Sequence, residues 1–113
     1  MSDPVVLTDR AHADLEAAYA WWAENRSETQ AANWYNAFAD AIESLANNPQ
    51  RCGVSRENDE FPIVIRDLLF GVGHRRTHRA VFTIRPDLVL VIAIRHLAQR
   101  DLSPDELWPG NES

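Results

Sequence analysis

The apolar residues of this chain change their spacing near its middle, from a helical period to a strand-like one. The helical part begins at Asp9. Ala11, Leu15, Ala18, Tyr19 and Trp22 fall on one face of a helix that runs to about Glu24. Thr8 is placed to cap its start, and Asn25-Arg26 to stop it. Asp3 to Thr8 (DPVVLT), just before it, reads as a short strand. Ser27-Glu28-Thr29-Gln30 fits a capping box and opens a second helix. Ala31, Trp34, Tyr35, Phe38, Ala41, Ile42 and Leu45 form its apolar stripe, and Asn47-Asn48-Pro49 ends it. So few residues separate the helices that they fold back as an antiparallel hairpin.

Residues 49–61 (PQRCGVSRENDEF) are a long polar loop, a length associated with function or mobility. Strand patterns follow. Pro62 to Phe70 is one strand, ended by Gly71-Val72-Gly73. His74 to Ile84 is the next, with Ala80, Phe82 and Ile84 on one face and Arg79, Val81 and Thr83 on the other. Pro86-Asp87 turns the chain into Leu88 to Arg95 (LVLVIAIR), apolar enough for a central strand buried on both faces. Short turns make these three an antiparallel meander. Ser103, as N-cap, and Pro104 open a last helical turn reaching Trp108, and Gly110 to Ser113 are expected to fray. The predicted fold is α+β with two layers. An N-terminal strand is followed by a helical hairpin packed on a small antiparallel sheet, in the order β-α-α-β-β-β.

At 113 residues the chain is expected to be a single domain, residues 1–113. It has no apolar run of membrane-spanning length and no leader pattern, which predicts a cytoplasmic protein without a membrane partner. Cys52 is the only cysteine, so no internal disulfide forms. With no base beside it, it reads as a loop bystander and not a nucleophile. The aromatics at helical spacing read as core and not as a base-stacking platform.

Charge changes this picture more than composition does. The net charge is −6, yet residues 66–100 carry seven arginines against two acids. All eleven cationic residues are arginine, suited to a bidentate grip on phosphate or carboxylate. Overall acidity argues against loose polyelectrolyte binding to nucleic acid, so any anion site is local to this segment. His74 and His78 alternate on the predicted strand but lack a third ligand in motif spacing, so no metal is expected. Gly71-Val72-Gly73 is not followed by a helix and is not a nucleotide loop, and no cofactor is expected.

Several segments together resemble the RelE/ParE superfamily of bacterial toxins. They are Asp14-Leu15 with Tyr19 and Trp22, Leu45-Ala46 before Pro49, Ile65-Arg66-Asp67-Leu68-Leu69-Phe70-Gly71, Arg79-Ala80-Val81-Phe82-Thr83-Ile84, and Ile94-Arg95-His96-Leu97-Ala98-Gln99-Arg100. The resemblance runs from about Val5 to Arg100. It implies a plasmid-stabilisation type of toxin from a type II toxin–antitoxin module, neutralised by a cognate antitoxin whose tail wraps the toxin. ParE-like members poison DNA gyrase; RelE-like members cut messenger RNA on the ribosome.

RNA cleavage needs a base, an acid and cations around one phosphate. If the chain is a nuclease, Arg66, Arg79, His96 and Arg100 are its expected catalytic residues. As a binding protein it would meet its partner through Arg66, Arg79, Arg95 and Arg100. These residues are expected to form one site with His96, and Arg75, Arg76 and Arg85 to lie at hairpin tips. The plainer alternative pairs Arg66 and Arg79 with Asp67, Glu57 or Asp59 as surface ion pairs. No lysine is present and no tyrosine follows Tyr35, which favours the ParE-like branch. A RelE-like endoribonuclease or a non-toxic binding module on the same fold are the alternatives.

Overall fold

Thr8 and Ser27 start the two long helices, as the sequence predicts. In the computed structural model, which describes residues 3–107, the Thr8 hydroxyl accepts the Ala11 N–H at 3.1 Å. The Ser27 hydroxyl accepts that of Gln30 at 3.0 Å. Helix α1 spans Asp9–Asn25 and α2 spans Glu28–Glu43. Their buried faces carry Ala11 and Leu15, and Ala31, Trp34, Phe38 and Ile42. Beyond a 3-10 turn at Ser44–Ala46, Asn48 turns left-handed (φ 51°) ahead of Pro49, and the helix cannot continue. Arg51 closes this end by donating to the Asn47 and Asn48 carbonyls at 2.8 and 3.2 Å.

The strands are β1 (Val5–Leu7), β2 (Arg66–Phe70), β3 (His78–Ile84) and β4 (Val89–His96), in the spatial order β1-β4-β3-β2. The last three pair antiparallel, as expected, and β4 is central with both faces covered. β1 pairs parallel to β4, so the sheet is mixed rather than antiparallel throughout. The helical hairpin returns the chain to the end of the sheet where β1 began, and this sets the direction of β1 relative to β4. Between β3 and β4 the register shifts at Val81/Phe82: Val81 pairs with Ala93 and Phe82 with Val91. Ile92 is the extra residue. The bulge puts Ile92 and Ala93 into the same apolar cluster.

One face of the sheet packs against the helices. Trp34, Phe38, Phe82, Val91 and Ile94 meet there, and Phe38 stacks on Phe70 with ring centroids 4.5 Å apart. The opposite face is covered too, which a two-layer reading does not foresee. Phe61, Ile65 and Leu102 close over Val81, Ile92 and Ala93. The covering pieces are the segment after α2 and the chain beyond β4, which ends in a short helix α3 (Pro104–Leu107). Trp108 and Gly110 to Ser113 lie outside the described residues.

Three strands are shorter than predicted, and β1 covers only Val5–Leu7 of the expected Asp3 to Thr8. β2 begins at Arg66 and not Pro62. Pro62 has no N–H to give a ladder, and Ile65 instead bonds backward to Asn58 Oδ1 and Ser55 N–H. β3 begins at His78, so His74 sits in a turn and the two histidines do not alternate on a strand. Gly71 makes this tight: a Cβ there would lie 1.8 Å from the Arg75 carbonyl oxygen. Cys52 is not a loop bystander but a buried member of the helix-side core.

Candidate functional site

Arg79 lies on β3 with its side chain in the protein interior, 1% exposed. The 3-10 turn Asn58–Glu60 holds the preceding Glu57 against it. Glu57 takes both ends of the guanidinium, Nη1 to Oε1 at 2.7 Å and Nη2 to Oε2 at 2.5 Å. Asp67, on the outward-facing register of β2, accepts from Nη1 at 3.0 and 3.1 Å. Ser55 donates its hydroxyl to Asp67, and the Leu102 N–H donates to Glu57 at 2.8 Å. One cation therefore ties together the post-α2 segment, two strands and the C-terminal segment. Burial pushes the Glu57 carboxyl up, but bonds from Arg79 and Leu102 outweigh it and bring its pKa down to about 2. Burial likewise opposes the charge on Arg79, and its two carboxylate partners hold it charged. The predicted pairing with Glu57 and Asp67 is present, but inside the protein rather than on its surface.

Arg95 is the register partner of Arg79 on β4 and is also buried, 3% exposed. It donates to the Arg100 carbonyl at 2.6 Å and to Glu106 Oε1 at 3.3 Å. The same carboxylate meets Arg10 of α1 at 3.5 Å and Arg100 at 4.0 Å, and accepts the Ser103 N–H at 3.1 Å. Burial raises the Glu106 pKa, while the Ser103 bond and the arginines lower it further, a net fall. Arg100 is exposed. Arg66 points to the helix side, as its register partner Phe82 does, and donates to the Cys52 carbonyl at 2.7 Å. Burial raises the Cys52 pKa more than Arg51 and Arg66 lower it, leaving a thiol that is not activated.

The structure therefore does not gather the five predicted residues into one site. Arg79 and Arg95 take the outer face of the sheet. Arg66 and His96 take the helix face, but their partners Phe82 and His78 are four residues apart on β3, about 13 Å along the strand. Arg75, Arg76 and Arg85 are exposed in the connections flanking β3, as expected of hairpin tips.

An open groove of about 550 Å³ lies elsewhere, between α1 and the His78 and His96 ends of β3 and β4. Trp21 and Trp22 form an apolar wall, with their rings edge to face at 5.7 Å. His78 and His96 meet across the floor with ring centroids 5.1 Å apart. Burial, then the neighbouring His96, drops the His78 pKa to about 4, so it is neutral at pH 7. The His96 Nδ1 accepts the Ala98 N–H at 3.0 Å, which leaves the neutral ring an Nε2–H donor with no bond among the described residues. Arg26, at the end of α1, lines the groove with no side-chain bond or ion pair among the described residues. Asp14 stabilises the groove's upper end, accepting the Ile94 N–H at 3.0 Å and Arg10 Nε at 3.0 Å.

Sequence reasoning missed Trp21, Arg26 and Glu106. A signal was present for Trp21. It sits off the apolar stripe of its helix, where a large exposed aromatic has no core to fill.

No helix among the described residues is long and apolar enough to cross a membrane. Comparison with known proteins gives a consistent family. No curated protein matches significantly. Among solved structures, the chain is similar to one from the chromosomal ParDE TA system of P. aeruginosa, with 20% identity and a TM-score of 0.66 over 84% of this chain and 96% of that one. That likeness is one of fold. A family model described as ParE toxin of type II toxin-antitoxin system, parDE, matches residues 5–100. With most of its length matched, the chain belongs to the ParE toxin family of type II toxin–antitoxin systems.

Proposed function

We propose that this toxin arrests growth in the cytoplasm by binding a protein target, DNA gyrase, and that a cognate antitoxin neutralises it. The observation that supports binding over catalysis is the internal position of Arg79 and Arg95. Phosphodiester cleavage requires cations that face a phosphate. Arg79 instead faces Glu57 and Asp67, and Arg95 faces Glu106 and a carbonyl. Of the expected arginine set only Arg100 stands exposed; Arg66 is half-buried and bonded to the Cys52 carbonyl.

The test is a supercoiling assay with purified, antitoxin-free chain, run beside primer extension on translated messages. Inhibited supercoiling with uncut messages is the expected pair of results. Codon-linked cuts that disappear in His96→Ala and Arg66→Ala would reinstate the RelE-like reading.

A further inference from the structure

The groove between α1 and the strand ends has features that the toxin assignment does not use. Its wall includes Trp21, which is 52% exposed and meets Trp22 edge to face, so the two indoles make one apolar surface. Its only cation without a partner among the described residues is Arg26; Arg10 is held by Asp14 and Glu106. His96 presents an Nε2–H. His78, 8% exposed, has its Nδ1 on the Thr77 hydroxyl at 2.8 Å and makes no bond through Nε2 among the described residues.

These groups select a ligand class. Two imidazoles suggest a metal, but metal binding at His96 Nε2 needs a lone pair there, and the Ala98 N–H already occupies the other nitrogen's lone pair. What remains is a donor set, guanidinium and imidazole N–H, beside an indole surface. Such a set accepts a carboxylate next to a bulky apolar group.

We propose that this groove seats an acidic segment of a partner protein, with a carboxylate on Arg26 and His96 and an adjacent apolar side chain against Trp21 and Trp22. The inference rests on the reading of this chain as a toxin held by a partner, and it moves the partner site away from Arg79 and Arg95. Charge complementarity carries the choice: among the described residues an unpaired arginine and an N–H donor line the groove, and the one carboxylate lining it, Asp14, is already bonded to Ile94 and Arg10.

The test uses a synthetic peptide of about ten residues alternating Glu and Leu, its Gln/Leu counterpart and a single-stranded RNA of similar length. Each is titrated into the full chain and followed by two-dimensional NMR. The Glu/Leu peptide should shift the Trp21 indole, Arg26 and His96 signals and bind more weakly as salt rises. Arg26→Glu and Trp21→Ala should each weaken it about tenfold, and Arg85→Glu, at the β3–β4 turn, should not. Equal binding of the Gln/Leu peptide, shifts confined to other surfaces, or binding of the RNA alone would overturn the proposal. Growth arrest by the wild-type chain is scored separately. A chain that binds the peptide without arresting growth would refute the toxin reading and leave the groove assignment standing.

Discussion

Glu57 grips Arg79 with both carboxylate oxygens inside the protein, although 22 residues separate the two in sequence. A buried charge pair of this kind is costly to break, because the surviving partner is left unpaired away from water. Glu57→Ala should lower stability by about 3–5 kcal/mol. Urea unfolding followed by circular dichroism measures it. Replacing the set with apolar groups should cost much less than removing one member, since no charge is left stranded.

Acid should destabilise the protein in two stages. His78 is neutral in the fold with a pKa of about 4, below its ordinary 6.5. The unfolded chain therefore binds the extra proton first, and stability falls as pH drops from about 6.5 toward 4. Glu57, at about 2 against an ordinary 4.5, is depressed by its partners. Its contribution is complete above pH 4.5 and is lost as pH falls toward 2. Thermal melts across this range should lose the upper stage in His78→Phe and the lower one in a charge-free triad variant.

Gly71→Ala should destabilise by about 1–3 kcal/mol, because its Cβ would meet the Arg75 backbone oxygen, which cannot rotate away. Gly73→Ala has open space around it but a φ of +80°, so its cost is conformational, about 1–2 kcal/mol. If denaturant midpoints for the two variants match the wild type, the tight connection between β2 and β3 is wrong.

Phe38→Ala should cost about 3–5 kcal/mol, since it removes a fully buried ring that stacks on Phe70 and touches Trp34. The Trp34 fluorescence should shift as water enters the space left behind.

The sequence carried the local features of this fold well. Thr8 and Ser27 cap the helices as read, because a cap needs only its own next three residues. The face of each residue on β3 followed from alternation alone. Non-local choices were hidden. Nothing near Val5–Leu7 says that it joins β4 in parallel, a pairing across 84 residues. The pairing of Arg79 with Glu57 was legible but its burial was not, and Glu106, the partner of Arg95, was hidden because it comes from the C-terminal segment. The loop of residues 49–61, open to either function or mobility from sequence, folds through a 3-10 turn at Asn58–Glu60 and supplies the buried acid. Cys52 was misread for the same reason, since a polar loop sequence does not show which of its members folds inward.

The account's central claim is that Arg79 holds the fold together and takes no part in chemistry. The direct measurement is growth on induction of a variant with Glu57→Leu, Asp67→Asn and Arg79→Met combined, whose folding is checked by circular dichroism and a thermal melt. The account predicts a folded protein that still arrests growth. A folded variant that has lost the arrest would contradict it.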